Sequence, residues 1–336
     1  VSTFQQRVDA IIQLGQVLAN WPQKRTNLFH QAYIHNNWFT HDNVANACAS
    51  WAAQLTTENM AKFVSAYDWP DTSQQTTAVI AAGNIPLVGL HDVLCVLLSG
   101  QKLLLKTSQD DTVLIEAVLH ELIEILPSLK DSIIISKERL PKDFDKVIAT
   151  GSNNTNRYFE HYFANKKHLL RGARTSVAVL TGNETDEDMQ ALANDIFMYF
   201  GLGCRNVSKI YIPQQFDFAM LYENAHAYKH VIDHHKYANN YTYHKAIMLL
   251  NMAPFLDNGF LLLSEDERMA SPLSMLFYEK YNDIQEVEDK LQAKSNQVQC
   301  VISKFSQPEW VGLGRAQQPS LFDFADGVDT VAFLLG

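Results

Sequence analysis

Thr77-Ala78-Val79-Ile80-Ala81-Ala82, closed by Gly83-Asn84-Ile85-Pro86, is a short apolar run that stops at turn residues. That is the pattern of a strand buried on both faces. Val88 to Leu98 follows as a helical run ended by Ser99-Gly100, and Leu103-Leu104-Leu105-Lys106 is a second buried strand. The alternation continues with a helix from Thr112 to Leu126 and strands at Ser132 to Ser136 and Lys146 to Ala149. Thr150-Gly151-Ser152 and a helix over Tyr158 to Ala164 come next. Apolar strands joined by helices predict a doubly wound parallel sheet, an α/β fold.

Towards the amino end, Phe4, Val8, Ile11, Ile12 and Leu18, then Val44, Ala47, Cys48, Trp51 and Leu55, recur at helical spacing. An N-terminal helical segment is therefore expected. Towards the carboxyl end, a strand from Ser176 to Leu180 stops at Thr181-Gly182-Asn183, and Thr185 or Asp186 can cap the helix leading to Gly201. A strand from Val207 to Ile212, a helical stretch over 216–250, and strands at Gly259 to Leu263, Met275 to Tyr278 and Gln297 to Ser303 complete the pattern, with a helix from Ile284 to Lys294.

The 336 residues suffice for two domains with sizeable cores. A net charge of −10 disfavours nucleic acid as a partner, because phosphate backbones need a basic stripe. The four cysteines, Cys48, Cys95, Cys204 and Cys300, are too scattered for a zinc knuckle or a disulfide scaffold. The longest apolar region, Ile85 to Leu98, is broken by Pro86, His91 and Asp92, so no membrane span is predicted. With no signal-peptide pattern at the start, a reducing cytoplasmic compartment is the expectation.

The chemistry-bearing positions sit at turns. In Gly201-Leu202-Gly203-Cys204-Arg205 a thiol follows two glycines between a helix and a strand, where other groups can approach it closely. Asn84 stands at the carboxyl end of a parallel strand, where its amide can donate to an oxyanion or simply close the turn. Lys106, with Thr107 and Ser108 behind it, suits a ribose or phosphate, or is a lysine at a strand exit. Gly151-Ser152 opens a helix and offers either a phosphate site or an ordinary N-cap. His226, His230 and His234 recur every four residues, but no carboxylate joins them, so a solvated face is expected and no metal.

Asn84, Lys106, Gly151-Ser152, Gly172-Ala173-Arg174-Thr175 and Gly201 to Cys204 occur in an order that resembles the aldehyde dehydrogenase superfamily. Gly203-Cys204-Arg205-Asn206-Val207-Ser208, the stretch His235 to Tyr241 and the tail Phe324 to Thr330 are similar to its LuxC-type acyl-CoA reductases. The resemblance implies two Rossmann-like α/β domains with an N-terminal helical segment. It divides the chain into 1–180 (helices plus nucleotide-binding domain), 181–305 (catalytic domain) and 306–336 (a tail packing on the first domain or on a partner subunit).

It further implies Cys204 as nucleophile and Asn84 as its oxyanion donor. Lys106, Ser108, Gln109, Gly151 and Ser152 become contacts of a nicotinamide cofactor. Two departures shape the expectation. Leu170 stands where hydrolytic members carry a water-activating glutamate, which favours thioester chemistry. Gln109 replaces a glutamate that holds adenosine ribose hydroxyls, which favours NADPH over NADH. The glutamate that holds the nicotinamide ribose has no convincing register among Glu265 and Glu267. The expected activity is NADPH-dependent reduction of a fatty acyl-CoA to the aldehyde by a homo-oligomer. A reductase of acyl phosphates or other acyl donors, and a non-catalytic nucleotide- or acyl-binding relative, are the alternatives.

Overall fold

The computed structural model describes residues 2–137, 143–307 and 309–336. The chain divides into two compact units, Val1–Ala173 with Ser320–Gly336, and Arg174–Pro319.

The first unit begins with four helices, α1 (Phe4–Lys24), α2 (Thr26–His35), α3 (His41–Gln54) and α4 (Thr57–Ser65). Thr3 and Gln6 form a reciprocal capping box at the start of α1, and Thr40 and Thr56 cap α3 and α4. Val8, Ile11, Leu14, Leu18 and Trp21 bury one stripe of α1. The α/β part follows: β1 (Thr76–Ile80), α5 (Leu90–Leu98), β2 (Lys102–Lys106), α6 (Thr112–Ile125), β3 (Ile133–Ser136), β4 (Lys146–Thr150), α7 (Asn153–Tyr162) and β5 (Lys167–Arg171). Among the described residues these strands form one parallel sheet in the order β3-β2-β1-β4-β5. Helix α5 is apolar nearly all round, because α1 covers the side turned from the sheet; Val93 to Leu98 are all buried. Each such side chain contributes about 1.5–3 kcal/mol relative to exposure.

The strand order reverses at β1: β2 and β3 lie to one side of it, β4 and β5 to the other. The crevice outside the carboxyl ends of β1 and β4 is thus the topological switch point, where open α/β sheets take ligands. The edge strand β5 was not expected from the sequence, since Lys167-His168-Leu169-Leu170-Arg171 holds only two consecutive apolar residues between charged or polar ones.

The last seventeen residues, Ser320–Gly336, close the first unit through the final helix, α12 (Thr330–Leu335). Phe322 packs edge-on against Phe63 at 5.3 Å. Asp326 accepts the Gly172 N–H at 3.2 Å, and Asp329 accepts the Tyr67 hydroxyl at 2.9 Å while capping α12. Thr330 Oγ1 accepts from Arg171, whose other arm donates to Asp92. The tail motif Phe324 to Thr330 therefore serves as a latch.

The second unit holds β6 (Thr175–Val179), α8 (Asp186–Phe197), β7 (Val207–Pro213), α9 (Phe218–Ala225), α10 (His235–Leu250), β8 (Leu256–Asp257), β9 (Leu262–Glu265), β10 (Met275–Tyr281), α11 (Ile284–Ala293) and β11 (Val298–Ser303). Its sheet runs β11-β6-β7-β10-β9-β8, parallel except for the two-residue β8. The sequence reading placed the division after residue 180 and a separate tail from 306. In the structure β6 lies inside the second sheet and residues up to Pro319 stay with that unit. The apolar content of β6 suits either sheet; its hydrogen bonds to β7 and β11 decide its place. Residues 226–233 form a 3-10 helix, so histidines spaced by four do not share one face there. No helix is long and apolar enough to cross a membrane among the described residues.

Candidate active site

Cys204 stands half-buried at the amino end of β7, on the turn that follows α8. A capping box of Thr185 and Asp188 starts α8, with three acidic residues in its first turn. Past its end the backbone turns left-handed at three successive residues, Tyr199 (φ 53°), Phe200 (φ 58°) and Gly201 (φ 80°). Glycine takes this conformation without strain, whereas each L side chain costs on the order of 1–2 kcal/mol.

The buried Asn206 side chain offsets that strain. Its amide Nδ2 donates to the Met198 carbonyl at 2.8 Å and to the Asp195 carbonyl at 3.1 Å, so groups left open at the end of α8 are satisfied. Its Oδ1 accepts the Gly203 N–H at 2.8 Å. Ser176, fully buried on β6, donates to the Cys204 carbonyl at 3.0 Å, and its hydroxyl is also 3.0 Å from the Cys300 sulfur. Side chains on both flanks thus tie down the backbone that carries the thiol.

Asp195 extends the scaffold. Wholly buried, it accepts the N–H groups of Gly314 (2.7 Å) and Ala316 (3.2 Å), while Arg205 donates to the Ala316 carbonyl. Burial pushes its carboxyl up to about 7, against the opposing pull of these two N–H groups and Arg205. The segment 312–316 is thereby fixed beside the Cys204 turn. Phe197 packs with Tyr228 and Phe260, and the Phe200 ring lies tilted against His234 at 4.6 Å.

The other predicted positions gather in the first unit, at the carboxyl ends of β1, β2 and β4. Asn84 is exposed in the loop after β1. Gly83 beside it packs so closely on the β2 exit loop that a Cβ there would lie 2.4 Å from Ser108 Oγ. This close approach puts Ser108 next to the Asn84 loop. Asp111, nearly fully buried and held well above the carboxylate range by that burial, accepts the Leu87 N–H at 2.6 Å and ties the two loops further.

Lys106 ends β2 and donates to the Lys137 carbonyl at 2.9 Å. Gln109 is exposed, and its carbonyl meets the His35 ring. Gly151 follows β4, and a Cβ there would press on Thr155 at 3.1 Å. Ser152 is the N-cap of α7, its hydroxyl accepting the Thr155 N–H at 3.2 Å and meeting the Thr155 hydroxyl at 2.9 Å. Ser152 thus caps α7, and Gly151-Ser152 stand at the positive end of that helix. Leu170 pairs with Ala149 and packs beside Phe159 in β5, an apolar setting with no carboxylate.

Asn206, Ser176 and Asp195 were not singled out by the sequence reading. Asn206 had one legible signal: an amide two residues beyond the candidate nucleophile and just after a helix end. Ser176 and Asp195 had none, because their contacts come from segments 28 and 121 residues away.

Residues 72–234 match the family described as Acyl-CoA reductase (LuxC). Solved structures similar to the chain include a Mycobacterium tuberculosis aldehyde dehydrogenase complexed with NAD+, at 14% identity and TM-score 0.65 over 91% of this chain and 74% of that one. The P. syringae indole-3-acetaldehyde dehydrogenase in complex with NAD+ and IAA matches at 12% identity and TM-score 0.68, over 95% and 75%. An E. coli NADP dependent enzyme matches at 12% and 0.65, over 93% and 78%. No curated protein sequence matches significantly. At such identities the structural likeness establishes the fold, that of the aldehyde dehydrogenases.

Proposed function

We propose that this LuxC-like chain with the aldehyde dehydrogenase fold reduces a fatty acyl-CoA to the corresponding aldehyde, using NADPH, through an acyl-Cys204 intermediate. The observation that carries the reading is the Cys204 turn, a half-buried thiol whose backbone is pinned by Asn206 and Ser176. A nucleophile placed this firmly loses little orientational freedom on the way to the transition state.

In the proposed sequence the Cys204 thiolate attacks the thioester carbonyl and the carbon–sulfur bond to the enzyme forms. The Asn84 amide and the Cys204 backbone N–H hold the oxyanion. The coenzyme A thiolate leaves and is protonated, giving the acyl-enzyme. A nicotinamide cofactor, which Lys106, Ser108, Gln109, Gly151 and Ser152 would hold, would supply the hydride that reduces the acyl carbon. Collapse of the resulting thiohemiacetal breaks the Cys204–carbon bond, releasing aldehyde and the thiolate. The net change is acyl-CoA, NADPH and a proton to aldehyde, coenzyme A and NADP+.

In this reading the crevice at the carboxyl ends of β1 and β4 takes the cofactor. The start of α7 offers a positive helix end to a pyrophosphate, and Gly83 lets the β1 and β2 loops close on each other. In this reading Lys106, Ser108 and Gln109 contact the adenosine ribose, and Gly151 and Ser152 the pyrophosphate. The uncharged Gln109 side chain accommodates a 2′-phosphate, which supports NADPH. Leu170 supports thioester chemistry, since no carboxylate stands at that position to activate water.

Intact-mass analysis after incubation with a fatty acyl-CoA and no NADPH tests the proposal. The expected result is a gain equal to the acyl group, mapped to Cys204, that NADPH then discharges as aldehyde. No acyl gain in a chain whose Cys204 is readily alkylated by iodoacetamide would refute the substrate assignment.

A further inference from the structure

Both neighbours of β6 carry one residue too many at Ser176. Along β11, Val298 pairs with Thr175 and Val301 with Val177, so Gln299 and Cys300 together stand opposite Ser176. Along β7, Val207 pairs with Ser176 and Lys209 with Val177, which leaves Ser208 as the extra residue. Bulges are uncommon in parallel ladders and re-aim a side chain where they occur. Here the β11 bulge sets the Cys300 sulfur 3.0 Å from the Ser176 hydroxyl.

The chain of contacts continues to the nucleophile. Ser176, wholly buried, donates to the Cys204 carbonyl at 3.0 Å. A hydroxyl has a single proton, and a carbonyl can only accept. With that proton committed to Cys204, the short contact on the other side needs the Cys300 S–H as its donor. The direction is therefore from Cys300 thiol to Ser176 hydroxyl to Cys204 carbonyl. Holding that carbonyl fixes the peptide plane that leaves Cys204, and so the orientation of its Cα–Cβ bond. Packing alone asks little of position 300. Cys300 is half-buried and borders an open cleft of about 580 Å³, with Gln292, Ser295, Gln299 and Trp310. Shortening it to alanine widens that cleft and leaves no sealed void.

We propose that, given Cys204 as the nucleophile, Cys300 is a positioning residue for acyl transfer. By donating to Ser176 it keeps the Ser176 proton on the Cys204 carbonyl, and the Cys204 thiol in its attacking orientation. Without that donor the Ser176 hydroxyl becomes a freer rotor and the Cys204 turn loosens.

Cys300→Ala and Cys300→Ser test this, because both are smaller than cysteine and only serine keeps a donor. Two rates are measured by peptide mass mapping: acylation of Cys204 by a fatty acyl-CoA without NADPH, and its alkylation by iodoacetamide, which needs no substrate. For Cys300→Ala, acylation is expected to fall and alkylation to rise, each by ~5-fold, the worth of one net hydrogen bond. Cys300→Ser should stay within ~2-fold of the wild type in both. In a double-mutant cycle, Cys300→Ala should add nothing in a Ser176→Ala background. Equal effects of alanine and serine, or an alanine effect that persists without Ser176, overturn the inference. So does a wild-type alkylation rate in Cys300→Ala. If acyl-CoA leaves even the wild-type Cys204 unmodified, the substrate assignment fails, and the alkylation rates still decide the role of Cys300.

Discussion

Replacing Asn206 with alanine tests whether the turn that carries Cys204 is held as described. The substitution removes three well-formed bonds, to Met198 O and Gly203 N at 2.8 Å and to Asp195 O at 3.1 Å. At about 1 kcal/mol net for each, roughly 3 kcal/mol of stability is lost. The Asp195 carbonyl is buried, so little is recovered from water there. For a unit of this size the loss corresponds to a fall of roughly 6–12 °C in melting temperature.

The same change frees the left-handed segment Tyr199 to Gly201 to relax, and Cys204 moves with it. Thermal unfolding followed by circular dichroism reads the first effect. The rate of Cys204 carboxyamidomethylation, followed by mass spectrometry well below the transition, reads the second. Faster alkylation together with slower acyl transfer is expected. Asn206→Asp keeps the acceptor for Gly203 but turns a carboxylate towards two carbonyl oxygens, so it should be no milder than alanine. A variant that melts within about 1 °C of the wild type and alkylates at the wild-type rate would refute the reasoning.

Other consequences are as direct. Asp92→Ala should destabilise the first unit by about 3–5 kcal/mol, because Arg171, with 5% of its side chain exposed, keeps a buried charge without its carboxylate; Asp92→Leu combined with Arg171→Met should cost less than either change alone, as urea unfolding would show. Gly83→Ala forces a Cβ to within 2.4 Å of Ser108 Oγ, so a loss of about 1–3 kcal/mol and weaker NADPH binding by calorimetry are expected, and unchanged binding would count against the crevice. The Asp195 carboxyl, pushed up to about 7 by burial, keeps its proton in the folded chain where the unfolded chain has lost it. The folded state then binds more protons between pH ~4 and ~7, so stability falls as pH rises through that window, and Asp195→Asn should gain on the wild type by up to ~4 kcal/mol across it; a constant difference between the two speaks against this. In native alkylation at neutral pH, Cys204 should react before Cys48 and Cys95, since burial pushes Cys48 up to about 12 and Cys95 well above its ordinary value.

Much of this protein is legible in local pattern. The apolar runs at Thr77 to Ala82 and Leu103 to Leu105 mark strands of a parallel sheet because no other element needs apolar side chains on both faces over so few residues. The glycines before Cys204 mark the turn on which it stands, and the order of the turn residues carries the family resemblance. Element type and the places where the chain must bend follow from steric and solvent rules that act over a few residues, and those the sequence by itself determined. Partnership does not follow from such rules. Thr175 to Val179 would suit either sheet, and only its ladders to β7 and β11 settle which. The tail from Phe324 to Thr330 could by its sequence pack on the first domain or on a partner, and its bonds with Tyr67, Arg171 and Gly172 put it on the first unit. Asn206, Ser176 and Asp195 are unremarkable polar residues along the chain; as buried groups they require hydrogen-bond partners, and only the tertiary structure decided that those partners would be the backbone around Cys204.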